Sequence, residues 1–127
     1  RNIYVMNGGF DNNFNIETYK KIIEKTINLS QDNFCKDLEE IAQWFTSIPQ
    51  LGISFGTKHL RFWSLNANKN GIELPIMDSV IAENMFTPKY ARWENYCKYV
   101  KLMQEEAKKR KVSVTNLERM LFNHFTN

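Results

Sequence analysis

The stretch GISFGTKHLRFWSLNANKNGIELPIMD, residues 52–78, decides how the chain is read. Its first part, Gly52 to Gly56, reads as a tight connection, because glycine tolerates backbone conformations that other residues resist. Gly56-Thr57-Lys58 then opens a helix expected over Thr57 to Leu65, and Asn66 to Gly71 reads as loop. Leu74-Pro75-Ile76-Met77 is apolar and fixed by proline, so it is expected to pack in extended form. Asp78 or Ser79 has the chemistry of an N-cap for a short helix through Met85. Lys58 and Asp78 therefore sit just past two rigid turns, 20 positions apart. A lysine amine attacks carbon only when deprotonated, a state favoured by burial, by nearby positive charge and by the dipole at a helix start. A capping aspartate is held rigid, so it can balance positive charge developing on a reacting partner. Each residue also has a plainer reading. Lys58 would then be a solvated lysine near a helix start, and Asp78 a cap and nothing more.

The flanking sequence is helical in period. Asn15 is a candidate N-cap, and Ile16, Tyr19, Ile22, Ile23 and Ile27 recur at helical spacing. Ser30 or Asp32 starts a second helix whose stripe is Phe34, Leu38, Ile41, Ala42 and Phe45, widened by Cys35, with Pro49 at or beyond its last turn. Pro88 fits the first turn of a long helix running to Arg110, with Tyr90, Trp93, Tyr96, Cys97, Val100 and Met103 inward. Lys108-Lys109-Arg110-Lys111 closes it in agreement with the helix dipole. Ser113 or Thr115 begins a last helix ending near Phe125. Residues 1–14 read as an irregular segment. The expectation is an all-α, compact domain of about six helices, one domain over residues 1–127. The chain starts at Arg1 rather than Met, so further sequence upstream is expected.

Composition narrows the class. With 127 residues, 43% apolar and 13% aromatic, the chain can build a core without staples and is not of disordered type. A net charge of +3 permits a polyanionic partner without demanding one. Cys35 and Cys97 lack metal-type spacing, and His59 and His124 offer no metal pair, so neither a metal nor an organic cofactor is expected. Reduced thiols in a cytoplasmic protein are the simplest reading of the two cysteines. No apolar run approaches membrane-spanning length.

Residues Ile53-Ser54-Phe55-Gly56-Thr57-Lys58 resemble the hairpin of the helix-hairpin-helix DNA glycosylases, specifically their 8-oxoguanine DNA glycosylase branch. In that family a Gly-Thr-Lys turn carries the nucleophilic lysine, and a Val-Pro-x-Asp-like segment about twenty residues later carries the catalytic aspartate. The counterpart here is Leu74-Pro75-Ile76-Met77-Asp78, with one additional residue between proline and aspartate. The chain is also similar to compact bacterial proteins of this fold, some found in antiphage defence loci. The likeness spans roughly Ile41 to Phe125. It departs from the pattern where Ser54 replaces the first hairpin glycine, and no β-rich N-terminal domain is visible.

The resemblance implies a DNA N-glycosylase/AP lyase that excises an oxidised purine through a Schiff base on Lys58, with Asp78 as the charge-balancing acid. It implies a base pocket walled by Phe62, one turn after the lysine, and by Phe122 on the last helix, with Glu118 reading the base edge. Against this, the two phenylalanines read as core, and Thr115-Asn116-Leu117-Glu118 reads as a capping box. Ser54, Gly56, Thr57, His59, Arg61 and Lys69 are the candidate phosphate contacts. DNA, as damaged duplex or single strand, is the implied partner, with protein partners of a defence system as a further one. The rival is an inactive module of the same fold that binds a nucleobase, DNA or a protein. Lys58 and Asp78 together argue for chemistry, because binding alone has no need of that pair.

Overall fold

The computed structural model describes residues 13–48 and 52–127. Among them the secondary structure is helical throughout: α1 (Asn13–Ile27), α2 (Phe34–Thr46), α3 (Ile53–Ala67), α4 (Ser79–Met85), α5 (Tyr96–Arg110) and α6 (Val114–Thr126), with a 3-10 turn at Trp93–Asn95 before α5. The all-α reading with six helices holds. The expected irregular segment and the position of Pro49 fall largely outside the described residues, as does much of the link between α2 and α3.

The apolar stripes do the packing that their period predicts. Phe34, Leu38, Ile41 and Phe45 of α2 are buried, as are Tyr96, Tyr99, Val100 and Met103 of α5. α1 lies against α2 and α3, α2 against α5 and the 3-10 turn, and α6 against α4 and α5. Where α2 meets α5, Cys35 and Cys97 are joined by a disulfide, their Cα atoms 5.5 Å apart. This corrects the expectation of reduced thiols. Each cysteine lies on the inward stripe of its helix, and packing brings the stripes together.

Several boundaries differ from expectation: α1 begins at Asn13, ahead of Asn15, and α2 begins at Phe34 with Asn33 as its N-cap in place of Ser30 or Asp32. α3 begins at Ile53, so Gly56, Thr57 and Lys58 belong to its first two turns and the tight connection contracts to Gly52, an extended N-cap. Gly56 is a glycine for reasons of space. A Cβ there would stand 2.7 Å from the Trp93 ring, which is itself stacked on Phe45 at 5.1 Å. Pro88 does not open α5. Residues 86–92 instead form an irregular connection in which Phe86 stacks on Tyr90 at 4.3 Å and Lys89 takes a φ of 65°. The helix starts only after Trp93 has been delivered to Gly56.

The segment that places Asp78 is extended in a helical protein, so its backbone groups need partners from elsewhere. Side chains supply them. Ile72 N donates to Asn68 Oδ1 at 2.9 Å and Leu74 N to Ser64 Oγ at 3.0 Å. Leu74 O accepts from Arg61 Nε at 2.7 Å, and Pro75 O from the Tyr96 hydroxyl at 2.7 Å. Ile76 N donates to Glu118 Oε2 at 2.8 Å and Met77 N to Thr57 Oγ1 at 2.9 Å. Leu74 and Met77 are fully buried, contributing roughly 2 kcal/mol each to the anchorage. The strip is thereby fixed by α3, α5 and α6 together.

Candidate active site

The site is assembled around that strip. Thr57, Arg61 and Ser64 recur at helical spacing on α3 and all bond its backbone, while Lys58 and Phe62 occupy the neighbouring stripe and point outward. The Thr57 hydroxyl is buried; it donates to Ile53 O at 2.8 Å and accepts from Met77 N. One residue beyond each partner of that bond stand Lys58 and Asp78. Asp78 caps α4 as expected: Oδ1 accepts from Val80 N at 2.6 Å, and the carboxylate is half-buried. Lys58 is exposed.

Glu118 lies inward on α6, only 9% exposed. Its Oε2 takes the Ile76 amide and stands 2.5 Å from Arg61 Nη2, close enough for an ion pair though not aligned as a hydrogen bond. Burial pushes its carboxyl up to about 7, against the opposing pull of Arg61 and the Ile76 N–H. The capping-box reading of Glu118 is corrected. Ser113 is the cap of α6, accepting from Asn116 N at 3.1 Å, and both the amide and the hydroxyl of Thr115 bond Glu73. The core reading of the two phenylalanines is corrected as well, since Phe62 is 56% exposed and Phe122 41%. Phe62 follows Arg61 on the outward face of α3, where its ring meets Trp63 edge-on at 5.2 Å, and Phe122 lies one turn beyond Glu118 on α6.

Several expected phosphate contacts have other duties. Gly56 N donates to Gly52 O at 2.8 Å within the helix, and the residue is buried under Trp93. Thr57 is fully buried and bonded on both sides. Arg61 is committed to Leu74 O and Glu118. His59 turns toward α1, edge-on to Tyr19 at 5.7 Å and Phe55 at 4.4 Å, with Nδ1 donating to Phe55 O at 3.0 Å. Lys69 lies beyond the far end of α3, roughly 14 Å of helix from Lys58 at 1.5 Å per residue. Ser54 stays exposed in the first turn. No side chain caps that turn, so the opening amides of α3 lack intrahelical acceptors. This is where an anion can be met.

Sequence reasoning missed Asn68, Ser64 and Tyr96, the side chains that hold the strip. A signal for them existed: an extended, proline-containing run in a helical chain must find side-chain donors and acceptors, and a polar stripe inside α3 offers them. Among the described residues no cluster of three or more His, Cys, Asp or Glu is placed to hold a metal ion, and no helix is long and apolar enough to cross a membrane.

Residues 13–122 match the family model described as "Putative 8-oxoguanine DNA glycosylase OGG-like protein". No curated protein and no solved structure matches the chain.

Proposed function

The chain belongs to the 8-oxoguanine DNA glycosylase OGG-like family, and from that premise we propose that it is a DNA N-glycosylase and AP lyase excising an oxidised purine such as 8-oxoguanine. The observation that carries the reading is the 2.9 Å bond between Met77 N and Thr57 Oγ1. It ties the residue before the amine to the residue before the carboxylate, in a strip where the amides of Ile72, Leu74, Ile76 and Met77 and the carbonyls of Leu74 and Pro75 all have side-chain partners.

In this reading the uncapped first turn of α3, at Ile53 and Ser54, receives a DNA phosphate. That replaces the grip expected of Gly56, Thr57, Arg61 and Lys69. The damaged purine leaves the stack and is taken between Phe62 and Phe122, both of which are exposed. Glu118 then reads a donor-bearing base edge, held in position by Arg61 and the Ile76 amide.

Lys58 gives up its ammonium proton to solvent and attacks the anomeric carbon with the amine. A carbon–nitrogen bond to the lysine forms as the glycosidic bond breaks, and its electron pair leaves with the base, which takes up a proton. Asp78, fixed by its cap bond, stabilises the positive charge that develops on the sugar. Opening of the sugar ring gives a Schiff base, and loss of the 2′ proton then expels the 3′ phosphate by β-elimination.

The test is borohydride trapping. Duplex and single-stranded DNA carrying 8-oxoguanine are incubated with the protein and reduced. A covalent adduct is expected with the unsubstituted chain and should be lost in Lys58→Gln. DNA binding without an adduct, unchanged in that variant, would leave a binding module in place of an enzyme.

A further inference from the structure

The Cys35–Cys97 disulfide takes part in no step above, and its two ends open onto different surroundings. Both cysteines are half-buried. Cys97 lines a cavity of about 390 Å³ whose wall includes Gln43, Thr46, Trp93 and two carboxylates, Glu39 and Glu94. Cys35 lines a separate cavity of about 130 Å³, together with Gln31, Asn33, one carboxylate, Asp32, and two cations, Lys36 and Lys101. Neither lysine is in an ion pair among the described residues. The disulfide is thus open to solvent at both ends, with a net positive wall at one and a negative wall at the other.

A disulfide that a thiol can reach exchanges more readily than a buried one. Opening it leaves α2 and α5 in contact through their apolar stripes. Exchange begins when a thiolate attacks one sulfur and the other sulfur leaves. Here two electrostatic effects oppose each other. The lysines draw an anionic attacker toward Cys35, yet they would also steady Cys35 as the leaving group if Cys97 were attacked. The charge of the attacker decides. Glutathione in its thiolate form carries about two net negative charges, and all of that charge approaches, whereas the leaving sulfur gains less than one.

We propose that the disulfide is a thiol-exchange site that a small anionic thiol enters at Cys35. The attacking sulfur bonds Cys35 Sγ as the Sγ–Sγ bond breaks. The electron pair leaves on Cys97 Sγ, which takes a proton from solvent. A second thiolate then attacks the mixed disulfide, frees Cys35 and departs joined to the first thiol. The reverse sequence, started by the small disulfide, closes the link again. The proposal does not rest on the base-excision reading. Its consequence reaches the same strip, because Cys97 follows Tyr96, whose hydroxyl holds Pro75 O, and lies one turn after Trp93, which packs on Gly56. An open link loosens the turn that anchors residues 72–78.

The experiment treats the full chain with reduced glutathione near neutral pH, quenches it in acid at early times and maps the products by peptide mass spectrometry. Glutathione is expected on Cys35 about fivefold more often than on Cys97. β-Mercaptoethanol, uncharged apart from its thiolate, should show no such preference. A Lys36→Gln, Lys101→Gln double variant should react about fivefold more slowly with glutathione and nearly unchanged with β-mercaptoethanol. Both lysines are exposed, so the substitutions leave the fold in place. Glutathione arriving first on Cys97, the same preference with both thiols, or a disulfide that glutathione leaves intact overturns the proposal. Amide hydrogen exchange reads the consequence. Severalfold faster exchange in residues 72–78 of the reduced protein is expected, and unchanged exchange there overturns the coupling to the strip.

Discussion

Glu118 carries a carboxylate where burial opposes its charge and Arg61 favours it, and burial wins: the carboxyl titrates at about 7. The folded chain therefore holds this proton more tightly than the unfolded chain, whose glutamates titrate near 4.3. By linkage, the contribution of Glu118 to stability is full below the ordinary glutamate value and is lost as pH rises through about 7. The loss is on the order of a few kcal/mol and is complete only at alkaline pH. Urea melts between pH 4 and pH 8 should show this decline in the unsubstituted chain and a flatter profile in Glu118→Gln. Equal slopes in the two proteins would mean that Glu118 is not the titrating group. The acid itself was legible in the sequence as a candidate base reader. Its cation was not, because Arg61 is 57 positions away and looked like one more basic residue facing DNA.

Helix α3 shows how an element can be found while its register of duty is misjudged. Its apolar residues announced a helix, but Gly56 suggested a turn, since glycine commonly signals unusual backbone angles. Here glycine answers a different need, the close approach of Trp93, and the helix runs through it at a propensity cost of about 1 kcal/mol. Ser54, Gly56 and Thr57 were thus read as a hairpin although they lie inside a helix. The polar stripe of Thr57, Arg61 and Ser64 has its cause in the neighbouring strip, whose backbone it satisfies. Thr57→Val tests this at nearly constant volume. The Met77 amide loses its acceptor while remaining buried, which should destabilise the fold by about 1–3 kcal/mol in urea denaturation. On the functional reading it should also weaken trapping by Lys58 more than DNA binding, because Asp78 is released from its anchor. Full stability in the variant would show that the strip does not depend on this bond.

At the scale of the whole molecule, α2 and α5 are joined twice, by apolar packing and by the Cys35–Cys97 disulfide, which closes a loop of 62 positions. A link of that span restricts the unfolded chain, and its removal should cost about 4 kcal/mol. Urea melts with and without reductant measure it, and titration of the native protein with a thiol reagent gives an independent check. Two reactive thiols before any reduction would contradict the pairing. The sequence by itself determined the helical class, the inward stripes of α2 and α5, and the capping role of Asp78. These depend on residues within a few turns of each other, where period and local hydrogen bonding suffice. It also carried the family pattern, because Gly56-Thr57-Lys58 and Pro75 to Asp78 are contiguous words. The tertiary structure alone decided the partners across the chain: Arg61 with Glu118, Cys35 with Cys97, Trp93 with Gly56, and the side chains that hold residues 72–78. Such pairs depend on how helices cross in space, and no spacing along a single chain encodes a distance between two of its faces.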